Sequence, residues 1–133
     1  MKKLAIACCV AMVAVVMPAL AHHSFAMFDS DREVTLVGTV KEFQWTNPHA
    51  WLQLMAPGPD GKMIEWSIEM SSPNGLKRTG WRPSTMKTGD KVTAVIHPLK
   101  SGENGGSLVI VTLPDGKVMG RRGPPPKPGS TAE

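Results

Sequence analysis

Residues 62–70 read Lys-Met-Ile-Glu-Trp-Ser-Ile-Glu-Met. Ile64, Trp66, Ile68 and Met70 alternate with Glu65, Ser67 and Glu69. Side chains along a strand point to opposite faces in turn, so this spacing predicts a strand with one buried and one wet face. Just upstream, Pro57-Gly58-Pro59-Asp60-Gly61 is dense turn chemistry and closes a hairpin onto a second strand, Ala50 to Ala56. There Trp51, Gln53 and Met55 oppose Ala50, Leu52 and Leu54. Further upstream, Glu33 to Trp45 puts Val34, Leu36, Gly38 and Val40 on one face of a strand rich in β-branched residues, and Asn47-Pro48 turns the chain.

Downstream of the same strand, Ser72 is a suitable N-cap, Pro73 fits the first helical turn and Gly80 can end a helix. These signals predict a helix over Pro73–Thr79. A fourth strand is expected over Lys91–His97, stopped by Pro98, and a fifth over Ser107–Leu113, stopped by Pro114-Asp115-Gly116. Lys117-Val118-Met119 offers a weak extension. Three strands, a short helix and two more strands make an all-β chain with small helical content. The expected architecture is an OB-like five-stranded barrel with one short helix between strands 3 and 4.

The chain ends differ in character from this middle. Lys2 and Lys3 precede an apolar run from Leu4 to Met17, Pro18 breaks it, and Ala19-Leu20-Ala21 supplies small residues. That is the pattern of a secretory signal peptide, residues 1–21, cut after Ala21. The run is shorter than the ~20 residues a spanning helix needs, so no membrane attachment is expected after cleavage. The expected location is periplasmic or secreted. Both cysteines, Cys8 and Cys9, fall within this leader, so the mature chain is expected to lack disulfides and cysteine ligands. Lys2 and Lys3 also belong to the 15 basic residues set against 11 acidic ones, which leaves a mature charge of about +2. Much of that excess lies at Arg121, Arg122 and Lys127. With no basic stripe, nucleic acid is not an expected partner. Residues 120–133 hold no apolar side chain larger than alanine or proline and are expected to be a disordered Pro-rich tail. One domain remains, residues 22–119.

Four blocks carry a family resemblance. They are His22-His23-Ser24-Phe25-Ala26-Met27-Phe28-Asp29; Gly38-Thr39-Val40 through Phe43-Gln44-Trp45-Thr46-Asn47-Pro48-His49-Ala50-Trp51; Glu65-Trp66-Ser67-Ile68-Glu69 with Ser72-Pro73-Asn74; and Gly106-Ser107-Leu108 with Val111-Thr112-Leu113-Pro114-Asp115-Gly116. Together they resemble a family of small exported bacterial proteins known only as a domain of unknown function. The resemblance implies an exported single-domain β protein and no particular activity.

Chemistry must therefore come from the residues. Cleavage after Ala21 frees the amine of His22, and that amine and its own ring can chelate Cu(II) as a pair. The arrangement resembles the histidine brace of copper-dependent polysaccharide oxidases and some periplasmic copper-binding proteins. His23 at position two offers a different chelate through its amide and ring. Nitrogen donors in tetragonal geometry favour Cu(II). His49, at the turn, and His97, at the end of strand 4, are the candidate further ligands; the competing account is a plain histidine-bearing terminus with ordinary surface histidines. The mature methionines Met27, Met55, Met63, Met70, Met86 and Met119 fall among strand residues and read mainly as core.

The second candidate surface is aromatic. Trp45 and Trp51 flank Asn47, and an outward Trp51 would suit a protein or glycan partner. Alternatively, Phe25-Ala26-Met27-Phe28 folds over Trp51, with Phe25 and Phe28 both buried. No enzyme is expected. Glu65 and Glu69 share a strand face but read as its wet side, and Ser24, Ser71 and Ser72 sit in no nucleophile motif. The function expected is a small exported binding protein that takes Cu(II) at its terminus, or else a partner- or glycan-binding module without metal.

Overall fold

The structure, a computed structural model, describes residues 25–120. The expected signal peptide, His22, His23 and residues 121–133 of the expected tail lie outside the described residues. A single 3-10 turn, Phe25–Met27, leads into β1 (Val34–Gln44), β2 (Trp51–Pro57), β3 (Met63–Glu69), helix α1 (Pro73–Arg78), β4 (Lys91–Pro98), β5 (Gly105–Thr112) and β6 (Val118–Gly120). The strands hydrogen-bond in the order β3-β2-β1-β4-β5-β6. A parallel pairing of β3 with β5, at Ser67↔Gly105, Ile68↔Gly106 and Glu69↔Ser107, closes the first five into a barrel. The fold is thus the OB-like five-stranded barrel that the element order implies, with α1 between β3 and β4.

The period-two pattern decides what lies inside. Leu36 and Val40 of β1, Leu52 and Leu54 of β2, Ile68 of β3, Val92, Ala94 and Ile96 of β4 and Val111 of β5 are buried in one core. Fully burying a side chain of this size stabilises the fold by about 1.5–3 kcal/mol, which makes this face the main source of stability. Closure depends on small residues. A β-carbon on Gly106 would overlap the His97 carbonyl oxygen, and one on Gly105 would stand 2.8 Å from Leu99 Cδ1. With hydrogen atoms there, β5 can pass between β3 and β4.

Helix α1 begins as its sequence suggests. The Ser72 side chain accepts from the Gly75 amide at 3.2 Å, Pro73 needs no amide partner, and Thr79 is the C-cap. Leu76, Trp81 and Met86 from this connection join the barrel core. Among the described residues no helix is long and apolar enough to cross a membrane.

Several expectations need correction. The weak extension at 117–119 is a real strand: β6 pairs with β5 through Thr112↔Val118, Val111↔Met119 and Ile110↔Gly120, and Met119 is buried. Gly120, expected to open the tail, is thus the last residue of β6. Glu69 is not on a wet face but is buried, at 6% exposure. Phe28 is buried, but Phe25, expected to be buried with it, is 80% exposed. Met70, Met86 and Met119 fill the core as expected, whereas Met27 and Met63 are exposed.

Candidate functional site

Chain direction brings the N-terminal segment across the outer face of β2 and β3. The Asp29 amide donates to the Pro98 carbonyl at 2.8 Å, Phe28 forms an isolated antiparallel bridge with Leu99, and the Lys100 amide donates to the Met27 carbonyl at 3.0 Å. These bonds clip the segment to the end of β4 and the loop that follows it. Phe28 then buries its ring, and Phe25 is left outside because the 3-10 turn, closed by the Phe28 amide on the Phe25 carbonyl at 3.1 Å, directs the chain away.

Between this segment, the 99–106 stretch and the outer faces of β2 and β3 lies a hollow of about 270 Å³. Met27, Phe28, Trp51, Glu69, Glu103 and Asn104 are among the residues that wall it. Trp51 and Glu69 are direct cross-strand partners on β2 and β3. Trp51 is half-buried, so the alternative in which the segment from Phe25 to Phe28 covers it holds for Met27 and Phe28 and fails for Phe25.

His49 contacts Glu69, one of the residues that wall this hollow. The turn that carries it includes a cis peptide bond between Asn47 and Pro48, and the Thr46 hydroxyl donates to the His49 carbonyl at 2.9 Å. On the other side the Ala50 amide donates to the Ser71 carbonyl at 3.2 Å, and the Met70 amide donates to the Ala50 carbonyl at 2.9 Å. The ladder between β2 and β3 therefore continues past both strand ends and fixes the backbone next to His49. Its ring is fixed too. Nδ1 is 3.0 Å from the Met70 carbonyl oxygen and 2.7 Å from Glu69 Oε1. A carbonyl only accepts, so Nδ1 carries the proton. In the neutral ring Nε2 is then the bare nitrogen, on a side chain 34% exposed.

A carboxylate and a carbonyl on one ring nitrogen, with the other nitrogen free, is the outer-shell arrangement that orients histidine ligands toward a metal. His97 shares part of it, as its Nδ1 lies 3.0 Å from the Arg32 carbonyl oxygen. It differs in position. The register runs from Glu69 to Ser107 on β5 and from Ser107 to His97 on β4, which sets His97 two strands from Glu69, about 10 Å by strand spacing. The bridge at Phe28↔Leu99 places Met27 beside Lys100, past His97 along the chain. Among the described residues no three His, Cys, Asp or Glu side chains gather as a metal set. His49 and Glu69 form a pair.

Trp45 and Trp51 have separate surroundings. Trp45 meets Phe43 edge-on, with ring centroids 5.6 Å apart, and packs against the core. Asn47 is exposed in the turn, and Trp51 faces the hollow. Glu69 is the site residue that sequence reasoning missed as such. Its one sequence signal was its place on the strand face shared with Glu65 and Ser67.

No curated protein matches this chain. Among solved structures, the mitochondrial single-stranded DNA-binding protein Rim1 of S. cerevisiae is similar at 12% identity, over 62% of this chain and 93% of that chain, with a TM-score of 0.44. The model of DUF6152, a family of unknown function, matches residues 10–108, and the chain belongs to that family.

Proposed function

We propose that the protein is a small exported binding protein that takes Cu(II) between its mature N-terminal histidine and His49. One observation carries this reading. His49 is locked through Nδ1 by Met70 and Glu69, its Nε2 is free, and Glu69 walls the same hollow as Met27 and Phe28 of the N-terminal segment. Two residues, His23 and Ser24, lie between His22 and Phe25, and these three steps span at most about 10 Å. The amine and ring of His22 then supply two nitrogens and His49 Nε2 a third, the set that suits Cu(II). His97 belongs to a different part of the surface and is not the third ligand in this reading. Since imidazole and amine must be deprotonated to bind, affinity falls on acidification.

The test is a Cu(II) titration against a competing chelator. It compares the mature protein, a form with one residue added before His22, the His49→Ala form and a His-His-Ser-Phe peptide. The mature protein binds most tightly, because a held chelate loses less ordering entropy than a free peptide. Equal binding by all four would end the copper reading. The second reading, a partner- or glycan-binding module without metal, is favoured by the aromatic face that Trp51 presents to the hollow.

A further inference from the structure

Four strands stand side by side in the order β1-β4-β5-β6. Their register aligns Val37 with Thr93, Thr93 with Thr112 and Thr112 with Val118. Two residues along, Thr35 aligns with Val95 and Val95 with Ile110. The neighbours Leu36, Ala94, Val111 and Met119 are buried, so both rows lie on the outer face. Val37 is 66% exposed and Val118 52%. Every side chain in the two rows is uncharged and β-branched. Such side chains are stiff and lose little freedom when a partner covers them. The outer surface of β1–β3 differs, with Lys41, Glu42 and Glu65 all exposed.

The neutral face has a charge at each end. Glu33 directly precedes β1, and alternation turns it outward with Thr35 and Val37. Lys91 opens β4 opposite Thr39, outward with Thr93 and Val95. The two positions are about 20 Å apart along the strands. Both side chains are exposed, and neither has an ion pair among the described residues.

We infer that this face docks a second copy of the chain. A twofold axis in the contact plane can run along the strands or across them. Along them, it sets Glu33 on Glu33 and Lys91 on Lys91, which repel. Across them, it sets Lys91 of each copy against Glu33 of the other, and the valine and threonine rows meet between. The end charges thus set the register, and the neutral rows supply the contact. Strands about 4.8 Å apart and rows about 6.8 Å apart give a patch of about 300–400 Å². A standard interface covers about 800 Å² per partner, so this dimer is weak and forms as concentration rises. It uses neither His22 nor His49 and stands apart from the copper reading.

The test is sedimentation equilibrium of the mature chain over a concentration series reaching about 1 mM, the range of a weak complex. The average mass rises from monomer toward dimer. Val37→Lys stays monomeric throughout and keeps the parent melting temperature, since the site is exposed. Glu33→Lys and Lys91→Glu each weaken association about tenfold, because each contact occurs twice in the dimer. The two changes together restore it. A monomer at every concentration, or a dimer that Val37→Lys leaves intact, would overturn the inference. A double charge swap no better than either single one would overturn the twofold.

Discussion

His49 Nδ1 lies 2.7 Å from Glu69 Oε1, across the end of the β2–β3 ladder, and Glu69 is one of the residues that wall a hollow. The contact ties a turn, whose sequence says little about side-chain placement, to a strand residue whose carboxylate is buried. It also decides the ring's tautomer, together with the Met70 carbonyl. Removing the histidine leaves that carboxylate inside without a partner. His49→Ala should therefore destabilise the protein by about 1–3 kcal/mol, toward the lower end because the histidine itself is partly solvated. In a double-mutant cycle read by urea unfolding, Glu69→Gln and His49→Ala should not add. Strict additivity would show that the contact contributes nothing.

Closure of the barrel makes a separate demand at Gly106. A side chain there overlaps the His97 carbonyl oxygen and stands 2.9 Å from Ile96 Cδ1, and backbone has no room to give. Gly106→Val should break the parallel pairing of β5 with β3 and cost several kcal/mol, on the order of other backbone-level disruptions. Circular dichroism melts should show a large loss, and amide exchange should speed up first at Ser67 and Glu69. A stable Gly106→Val protein would contradict the close approach.

Two C-terminal truncations should respond differently. A protein ending at Gly120 keeps β6 and the buried Met119, whereas one ending at Asp115 loses both. The first should melt with the full mature chain. The second should lose about 2 kcal/mol or more, the usual effect of removing a large buried side chain. Thermal scans of the three lengths check this directly, and equal melting of all three would show that β6 contributes nothing.

The order of elements along the chain was legible because period-two burial is a local property. Ile68 and Met70, or Leu52 and Leu54, announce their inner face within a few residues, and Ser72-Pro73 announces α1 in the same way. Glu69 shows where local reading stops. Alternation correctly puts it on the outer face of β3, yet that face is covered by Phe28 and the stretch around Leu99 and Gly105, which lie far away in sequence. Phe25 fails for the opposite reason. It is as apolar as Phe28, but one 3-10 turn separates the bridge to Leu99 from open solvent. The site is legible only in its residue types: the sequence offers His49 as a candidate ligand, while its carboxylate partner Glu69 reads as solvated. β6 was faint because three residues carry little periodicity.

Processing can be checked before any metal is added. The exported protein should begin at His22, and its intact mass should be unchanged by reduction because Cys8 and Cys9 leave with the leader. Mass spectrometry of the secreted chain reads both at once. A mature form that retains either cysteine, or that starts beyond His23, removes the amine on which the copper reading depends.

The last prediction separates the two phenylalanines of the N-terminal segment. Phe28 is 6% exposed and holds the segment against Leu99 and the hollow, whereas Phe25 is 80% exposed. If copper needs the terminus held near His49, Phe28→Ala should lower Cu(II) affinity by releasing the segment, about tenfold or more for a few residues newly free to move. Phe25→Ala should leave affinity and melting temperature nearly unchanged. The His49→Ala protein serves as the reference for a site that has lost its third ligand. Adding Phe28→Ala to it should cost little further affinity, because a loose terminus without a third ligand behaves as the free His-His peptide does. Competition titrations on the four proteins, beside their melting curves, give the result. Equal losses from Phe25→Ala and Phe28→Ala, or an unchanged affinity in Phe28→Ala, would mean that the barrel does not position the terminus.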